Sequence, residues 1–453
     1  MIDSEIKLIV LDMFCGAGGT STGILKDPRA KVIICINHDE NAIKSHAANH
    51  PECHHFTEDI RHVKLEELRK LVNEAKIKYP NALFAAHASL ECTFFSNARG
   101  GGPKDADSRS LAEDMFRYRD YLQPDIFTIE NVREFLDYGP LDENDNVIKD
   151  RKGEYYDLWI KNMCNHDEYS YDYKILNAAD YGAYTTRKRY FGIFSKNKEH
   201  ITFPTVTHFK DRNYKQVKDI LDIQDKGKSI FNRKKPYVDP TLNRIINGLK
   251  AYKEPYLICY YGNGKNYHTI KKPSVTLTTK DRLSLVTPFI LRDYTKGYLS
   301  SIKEPAGTLL TIPKINVVTP TFLLNPQWGN DTGKSVYKPC FTLIARMDKA
   351  APLLVQSQRK DSIKANILYS DTDSDKMKEL KDYMNENDIS DIYMRPLKIP
   401  ELLQIQGFPK DYALIGTQTQ QKKYIGNSVE TTVMHKWIES IINKIEQYDT
   451  QYN

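Results

Sequence analysis

Long apolar runs are missing from this chain of 453 residues. No stretch approaches the roughly 20 consecutive apolar residues of a membrane-spanning helix, so no membrane partner is expected. The opening residues Met1-Ile-Asp-Ser-Glu-Ile-Lys7 lack the apolar run of a signal peptide. Cysteine is sparse: there are seven, scattered along the chain and never in a CxxC pair. An odd, scattered set argues for reduced thiols in a reducing cytosol, and hence for a cytoplasmic protein. Strong charge of one sign is absent too, since 65 Lys and Arg against 59 Asp and Glu leave a net +6. This mild excess permits a nucleic-acid partner without demanding one.

What the chain does have is length enough for two domains. Over residues 6–200 short apolar runs alternate with amphipathic stretches. Ile6–Phe14, Lys31–Asn37, Ala82–Ala88 and Asp125–Glu130 read as buried parallel strands, with helical patterns such as Leu65–Ala75 and Leu111–Leu122 between them. This rhythm predicts a doubly wound α/β (Rossmann-like) sheet whose ligands sit at the carboxyl ends of its strands. From about residue 205 Tyr, Thr, Lys and Pro dominate instead. A repeat P-x-x-T-L begins at Pro273, Pro305 and Pro339, about every 33 residues. Basic residues follow it (Lys280, Lys314, Arg346), then apolar runs reaching Val286-Thr-Pro288, Val318-Thr-Pro320 and Ala351-Pro352. These units predict repeated β-hairpins in a mostly β domain. Residues 370–392 read as a solvated helix and linker. The α/β texture returns after Met394, so residues 1–204 and 393–453 are expected to form one domain, with 205–392 inserted.

The polar motifs fall at strand ends. Asp12-Met-Phe14-Cys-Gly16-Ala-Gly18-Gly19 closes the first strand and opens a helix, where glycines let the backbone approach a ligand. Asn37-His38 closes the second strand, where such folds contact ribose hydroxyls. Asp59-Ile60 follows the next segment and suits an adenine amine and ring. Three such sites in order point to an adenosine-bearing cofactor. Past the fourth strand comes Cys92, followed by Ser96 and a glycine-rich basic segment with Arg99 and Lys104. A thiol at a strand end beside such a loop is a candidate nucleophile. Glu130 ends the fifth strand near the same edge. Arg187 and Arg189 alternate, so on a strand both face one side.

In this order the motifs resemble the cytosine-5 DNA methyltransferase family. Asp12–Gly19 is similar to its first motif, Ser89–Ser96 to its nucleophile motif, and Glu130-Asn131-Val132 to its ENV motif. Asp180-Tyr181-Gly182 with Arg187 and Arg189 is similar to QxRxR. Arg395–Pro409 resembles the ninth motif, and Gly426-Asn427-Ser428-Val429 the tenth. Three positions depart from the pattern. Glu91-Cys92-Thr93 stands for Pro-Cys-Gln, Thr185 for the glutamine before the arginines, and Asn37-His38 for an acidic residue and an aromatic. A carboxylate beside the nucleophile disfavours its thiolate.

The resemblance implies an enzyme that uses S-adenosyl-L-methionine to methylate carbon 5 of a flipped-out cytosine in double-stranded DNA. It implies Cys92 as nucleophile at C6 and Glu130 as its partner on the base, with Arg189 orienting Glu130 and Arg187 on a phosphate. Asn427, Ser428 and Val429 would complete the cofactor pocket. The inserted region would recognise the target, with Ser96, Arg99, Lys104, Lys280 and Arg346 as DNA contacts. A monomer is expected, and no nuclease motif is visible, so any restriction endonuclease would be a separate polypeptide. An RNA cytosine-5 methyltransferase and a catalytically inactive DNA-binding module are the alternatives. His46, His50, Cys53, His54 and His55 crowd one segment with i,i+4 spacing. No second cluster in the sequence completes a ligand set, so a polar helix end without metal is the expectation.

Overall fold

The computed structural model describes residues 5–90, 111–143, 146–209, 214–251 and 367–452, apart from 223, 226 and 388. Between 252 and 366 it describes only the backbone of eight β-strands. The first sheet contains β1 (Leu8–Met13), β2 (Ala30–Ile36), β3 (His54–Phe56), β4 (Leu83–Ser89), β5 (Ile126–Asn131), β6 (Ser170–Asn177) and β7 (Lys188–Ser195). Their order is β3-β2-β1-β4-β5-β7-β6. Neighbours from β3 through β5 are parallel, while β7 runs antiparallel to both β5 and β6. The expected doubly wound sheet is therefore present, with each predicted strand displaced by no more than two residues at either end.

Strand β1 shows why the apolar runs were continuous. Ile9, Leu11 and Met13 enter one core with Phe84, Phe127 and Trp159, whereas Leu8 and Val10 enter the other with Val433, Met434 and Trp437. Period-two alternation thus buries both faces of the same strand. The first face is covered by α3 (Leu65–Lys78), α4 (Met115–Leu122) and α5 (Glu154–Met163). The second lies under α1 (Gly19–Ile24), α2 (Glu40–Asn49) and a long C-terminal helix, Thr431–Tyr452.

The inserted part builds further sheets. Strand β8 (Lys228–Ser229) and helix α6 (Asp239–Ala251) precede β9 (Tyr256–Cys259), β10 (Tyr267–Thr269), β11 (Leu283–Val286), β12 (Phe289–Arg292) and β13 (Tyr298–Ser300). Then come β14 (Ile315–Val318), β15 (Thr321–Leu324), β16 (Leu353–Arg359), helix α7 (Asp375–Glu386) and β17 (Ile389–Pro396). One sheet has the order β10-β9-β11-β15-β16-β17-β8 and another β13-β12-β14.

The P-x-x-T-L arm of each predicted repeat hairpin lies outside the described residues, which hold the strands around the first two Val-Thr-Pro segments. Strands β11 and β12, which flank the first Val-Thr-Pro, lie in different sheets, as do β14 and β15 around the second. The pairs β11·β15 and β12·β14 nevertheless share one antiparallel register, with Leu285 opposite Phe322 and Phe289 opposite Val318. Residues 370–392, expected to form a solvated helix and linker, do contain the helix α7, but one of its faces is buried. Met377, Leu380 and Met384 form a buried stripe on α7 against Leu242, Ile245 and Leu249 of α6. Strand β17 then runs to Pro396 inside the second sheet, so the α/β texture resumes later than Met394.

The last elements are α8 (Ile399–Ile405), α9 (Gln418–Asn427) and α10 (Thr431–Tyr452). A buried bidentate pair, Arg395 to Glu401 at 2.9 and 3.0 Å, joins β17 to α8. Helix α10 packs on α1 because two glycines one turn apart remove the side chains between them. A Cβ on Gly19 would lie 2.8 Å from Ser428 Cβ and from the Val429 carbonyl. One on Gly23 would lie 2.7 Å from Met434 Cβ and 2.8 Å from the Thr431 carbonyl. In an isolated helix Gly→Ala gains about 1 kcal/mol. Here Gly23→Ala should instead lower unfolding stability by about 1–3 kcal/mol, since the backbone must move to admit the methyl. Chemical denaturation would read this directly, and a stabilised variant would show that α1 and α10 are not so close.

Candidate active site

Strand order reverses between β1 and β4, because the chain runs outward through β2 and β3 and then returns across β1. Ligands of open α/β sheets bind where the loops diverge at such a point. Asp12, the Phe14–Gly19 loop and Ser89 all stand there, and Glu130 is paired with Ser89 on the next strand.

The loop after β1 has the backbone that its glycines predict, and one feature they do not. Gly16 and Gly18 have φ of +53° and +104°, and so does Phe14, at +58°. A left-handed phenylalanine is strained, a condition common at ligand clamps. A Cβ on Gly16 would meet nothing within 4 Å, so that side of the loop is open. Gly18 and Gly19 face inward, toward Tyr412 and Ser428. Asp12 is fully buried and accepts from Ser21 Oγ at 2.7 Å. Desolvation pushes its carboxyl up to about 7.

The other candidate cofactor residues divide. Asn37 Oδ1 accepts from the Asp39 amide at 2.9 Å, and His38 is exposed. Asp39, the third residue of that Asn37-His38-Asp39 strand end, caps α2 and accepts from Tyr424 Oη at 2.8 Å, tying α9 to the end of β2. Its signal was the Asp-Glu pair opening a helix. Both Asp59 oxygens accept from Arg61, at 2.9 and 2.7 Å, and that guanidinium holds the carboxyl well below the usual range. Asp59 is thus already engaged by a cation. Ile60 is not placed as a ring cover, because its side chain is in the core with Leu68 and Val72. Asn427 is exposed, Ser428 Oγ donates to the Tyr424 carbonyl at 2.8 Å, and Val429 packs with Val433 and Met434. The tenth motif therefore backs the glycine loop through packing.

Glu130 is buried at the end of β5, with Arg189 Nε 3.4 Å from its Oε1. Burial raises its pKa, while Arg189 and then Arg187 pull it down. Both arginines thus act from one side, as their spacing predicts. The phosphate role expected of Arg187 does not fit its surroundings. Arg187 is buried and donates from Nη1 to the Gly426 carbonyl of α9 at 3.2 Å. Cys92, Ser96, Arg99, Lys104, Lys280 and Arg346 lie outside the described residues, as do Glu91 and Thr93.

His87 was missed. In the strand Phe84-Ala-Ala-His87-Ala-Ser89 a lone imidazole in a buried run was the available signal. His87 Nδ1 lies 2.9 Å from Thr128 Oγ1 and Nε2 lies 3.0 Å from Ser89 Oγ, which is 3.3 Å from Thr20 Oγ1. The chain of contacts ties β5, β4 and α1 beneath the site.

A family model described as C-5 cytosine-specific DNA methylase matches residues 8–443. The chain belongs to that family. Type II methyltransferase M.NgoPII of Neisseria gonorrhoeae is 26% identical over 219 residues, covering 48% of this chain and 57% of that protein. Type II methyltransferase M.SsoII of Shigella sonnei is 29% identical over 231 residues, covering 49% of this chain and 51% of the other. The chain thus spans about half the length of these methylase relatives. A solved mutant of Spodoptera frugiperda DNMT2 shares the fold, with TM-score 0.50 and 15% identity over 96% of this chain and 99% of its own.

Full burial holds the His87 imidazole down at about 3. The folded protein therefore keeps His87 neutral, while the unfolded chain takes up a proton below about 6.5. This contribution is complete above pH 6.5 and is lost as pH falls toward 3, at about 1.4 kcal/mol per unit. His87→Gln should flatten that part of the acid limb in urea melts across pH. An unchanged limb would mean that His87 titrates normally.

Proposed function

We propose that this chain transfers a methyl group from S-adenosylmethionine to carbon 5 of cytosine in duplex DNA. The observation that carries the reading is the buried Glu130–Arg189 pair, one strand from the β4 end that leads to Cys92. Cytosine C5 becomes nucleophilic only after a thiolate adds to C6, and Cys92 is the thiol that follows β4. A carboxyl whose pKa is raised by burial can carry a proton. Glu130 would donate that proton to N3 and accept from the exocyclic amine, neutralising charge as the Cys92–C6 bond forms. Loss of the C5 proton after methylation would then break that bond and free Cys92.

S-adenosylmethionine would supply an electrophilic methyl on its sulfonium. The open side of Gly16 and the left-handed Phe14 fit an adenosine-bearing ligand held close to backbone. Asn37, His38 and Asp59 would meet its ribose and adenine edges, with Asp59 sharing its charge with Arg61. Residues 205–392 would read the target, a role supported by the β-rich surface those strands build and by the lysine-bearing repeats. The names of the two bacterial relatives support a modification methyltransferase, with any endonuclease a separate polypeptide. Arg187 would serve by holding β7 to α9, so that Arg189 stays on Glu130.

Bisulfite sequencing of DNA from cells expressing the chain should reveal a methylated cytosine in a fixed sequence. On a duplex with 5-fluorocytosine at that position the missing C5 proton blocks release, so a denaturation-resistant adduct should accumulate. Cys92→Ser should abolish the adduct. Glu130→Gln should slow its formation by roughly 10²–10⁴-fold. Methylation of tRNA but not duplex DNA would move the substrate to RNA. Neither methylation nor adduct on any nucleic acid would leave a DNA-binding module.

A further inference from the structure

The histidine-rich segment at 46–55 lacked a second cluster in the sequence, and the fold supplies one. Cys15 leaves the end of β1, Cys35 lies in the neighbouring β2, and His46 is on α2, which covers both. All three are buried. Their Sγ and Nε2 atoms lie within 4.8 Å of one another, and Cys35 Sγ is 3.2 Å from His46 Nε2. We propose that Cys15, Cys35 and His46 form a buried zinc-binding site behind the glycine loop, distinct from the methyl-transfer centre.

The chemistry of the donors fits. Zinc takes thiolate sulfur at about 2.3 Å and imidazole nitrogen at about 2.0–2.1 Å, and two thiolates neutralise its charge inside a protein. His46 Nδ1 lies 2.9 Å from His55 Nε2. Zinc on Nε2 would replace the proton that Nε2 offers to Ser21 Oγ and leave the imidazole proton on Nδ1, and a ligating histidine typically has its second nitrogen held in this way. Ser21 Oγ lies beside these donors, 2.9 Å from His46 Nε2 and 3.8 Å from Cys35 Sγ. The same hydroxyl donates to Asp12 Oδ2, while Asp12 Oδ1 is buried with no hydrogen-bond partner among the described residues. A buried carboxylate oxygen of this kind is a second, independent sign that positive charge belongs nearby. The negative charge of Asp12 bears on both cysteine thiols. Cys53 is close as well, but its Sγ is directed to the Val32 carbonyl at 3.1 Å.

Such a site would staple β1, β2 and α2 together. It would also fix the loop, because Gly18 stands so near both rings that a Cβ there would lie 3.2 Å from His46 Cδ2 and 3.3 Å from His50 Cδ2. The test uses the full chain, purified under reducing conditions and stripped with a chelator, and cobalt(II) as the spectroscopic probe. One equivalent of cobalt should give a thiolate charge-transfer band of the intensity expected for two thiolates. One equivalent of zinc should displace it and raise the Tm. Cys35→Ala should lose the band, and Cys164→Ser, remote from the cluster, should keep it. His55→Ala should weaken zinc binding about 10–100-fold through the lost orientation of His46. If Cys35→Ala does not fold, the band intensity of the wild type still counts its thiolates. No band and no zinc-dependent Tm shift in the wild type would overturn the proposal. So would a band that survives in folded Cys35→Ala.

Discussion

The contact between α1 and the chain's last segment is the constraint on which the rest of the site hangs. Gly19 and Gly23 let Ser428, Val429 and Met434 approach the backbone of α1, and Trp437 then fills the space over β1 and β7. Because α10 is so placed, α9 ends where the Gly426 carbonyl can take Arg187. Arg187 enters β7, and two residues on Arg189 reaches Glu130 on the adjacent strand. Distant parts of the chain are thus joined through one close packing of small side chains and one buried hydrogen bond that spans 239 positions. Since interiors pack densely, a shift at Gly23 is transmitted rather than absorbed.

Around that frame the protein buries several ionisable groups, and they are not equally compensated. Arg395 and Glu401 form a bidentate pair with further carbonyl acceptors, so the charges there satisfy each other. Glu430 is buried at the start of α10, where it accepts from the Val433 amide at 2.8 Å. Burial still raises its pKa against the pull of that bond and of Lys26. Such groups cost stability unless something compensates them. Asp12 and Glu130, at the strand ends, keep raised carboxyl pKa values for the same reason.

Much of the first domain was legible because a strand buried on both faces writes an unbroken apolar run. Polar residues then stand out where that run ends, as Asp12, Asn37 and Glu130 do. Sequence periodicity could not reveal how those polar atoms are spent. Asp59 meets its own near neighbour Arg61, Asn37 meets Asp39, and Arg187 meets a carbonyl 239 positions away. The inserted region was legible in composition but not in pairing. Nothing in the Thr-Pro spacing announces that β11 pairs with β15 and β12 with β14. The cysteine and histidine cluster was illegible for a different reason. Its members sit just past β1, in β2 and on α2, and no linear spacing announces side chains brought together one at a time from three places.

The protonation of Glu130 shows how these levels combine. Left alone at the end of β5, a fully buried carboxylate would hold its proton to high pH and could not accept from an exocyclic amine with full strength. Paired too tightly, it would remain ionised and could not donate to a ring nitrogen. Arg189 at 3.4 Å from Oε1 and Arg187 farther along the same face lower the pKa without cancelling the rise from burial. The Gly426 carbonyl helps to hold Arg187 inside, so the balance at Glu130 is linked to the end of α9.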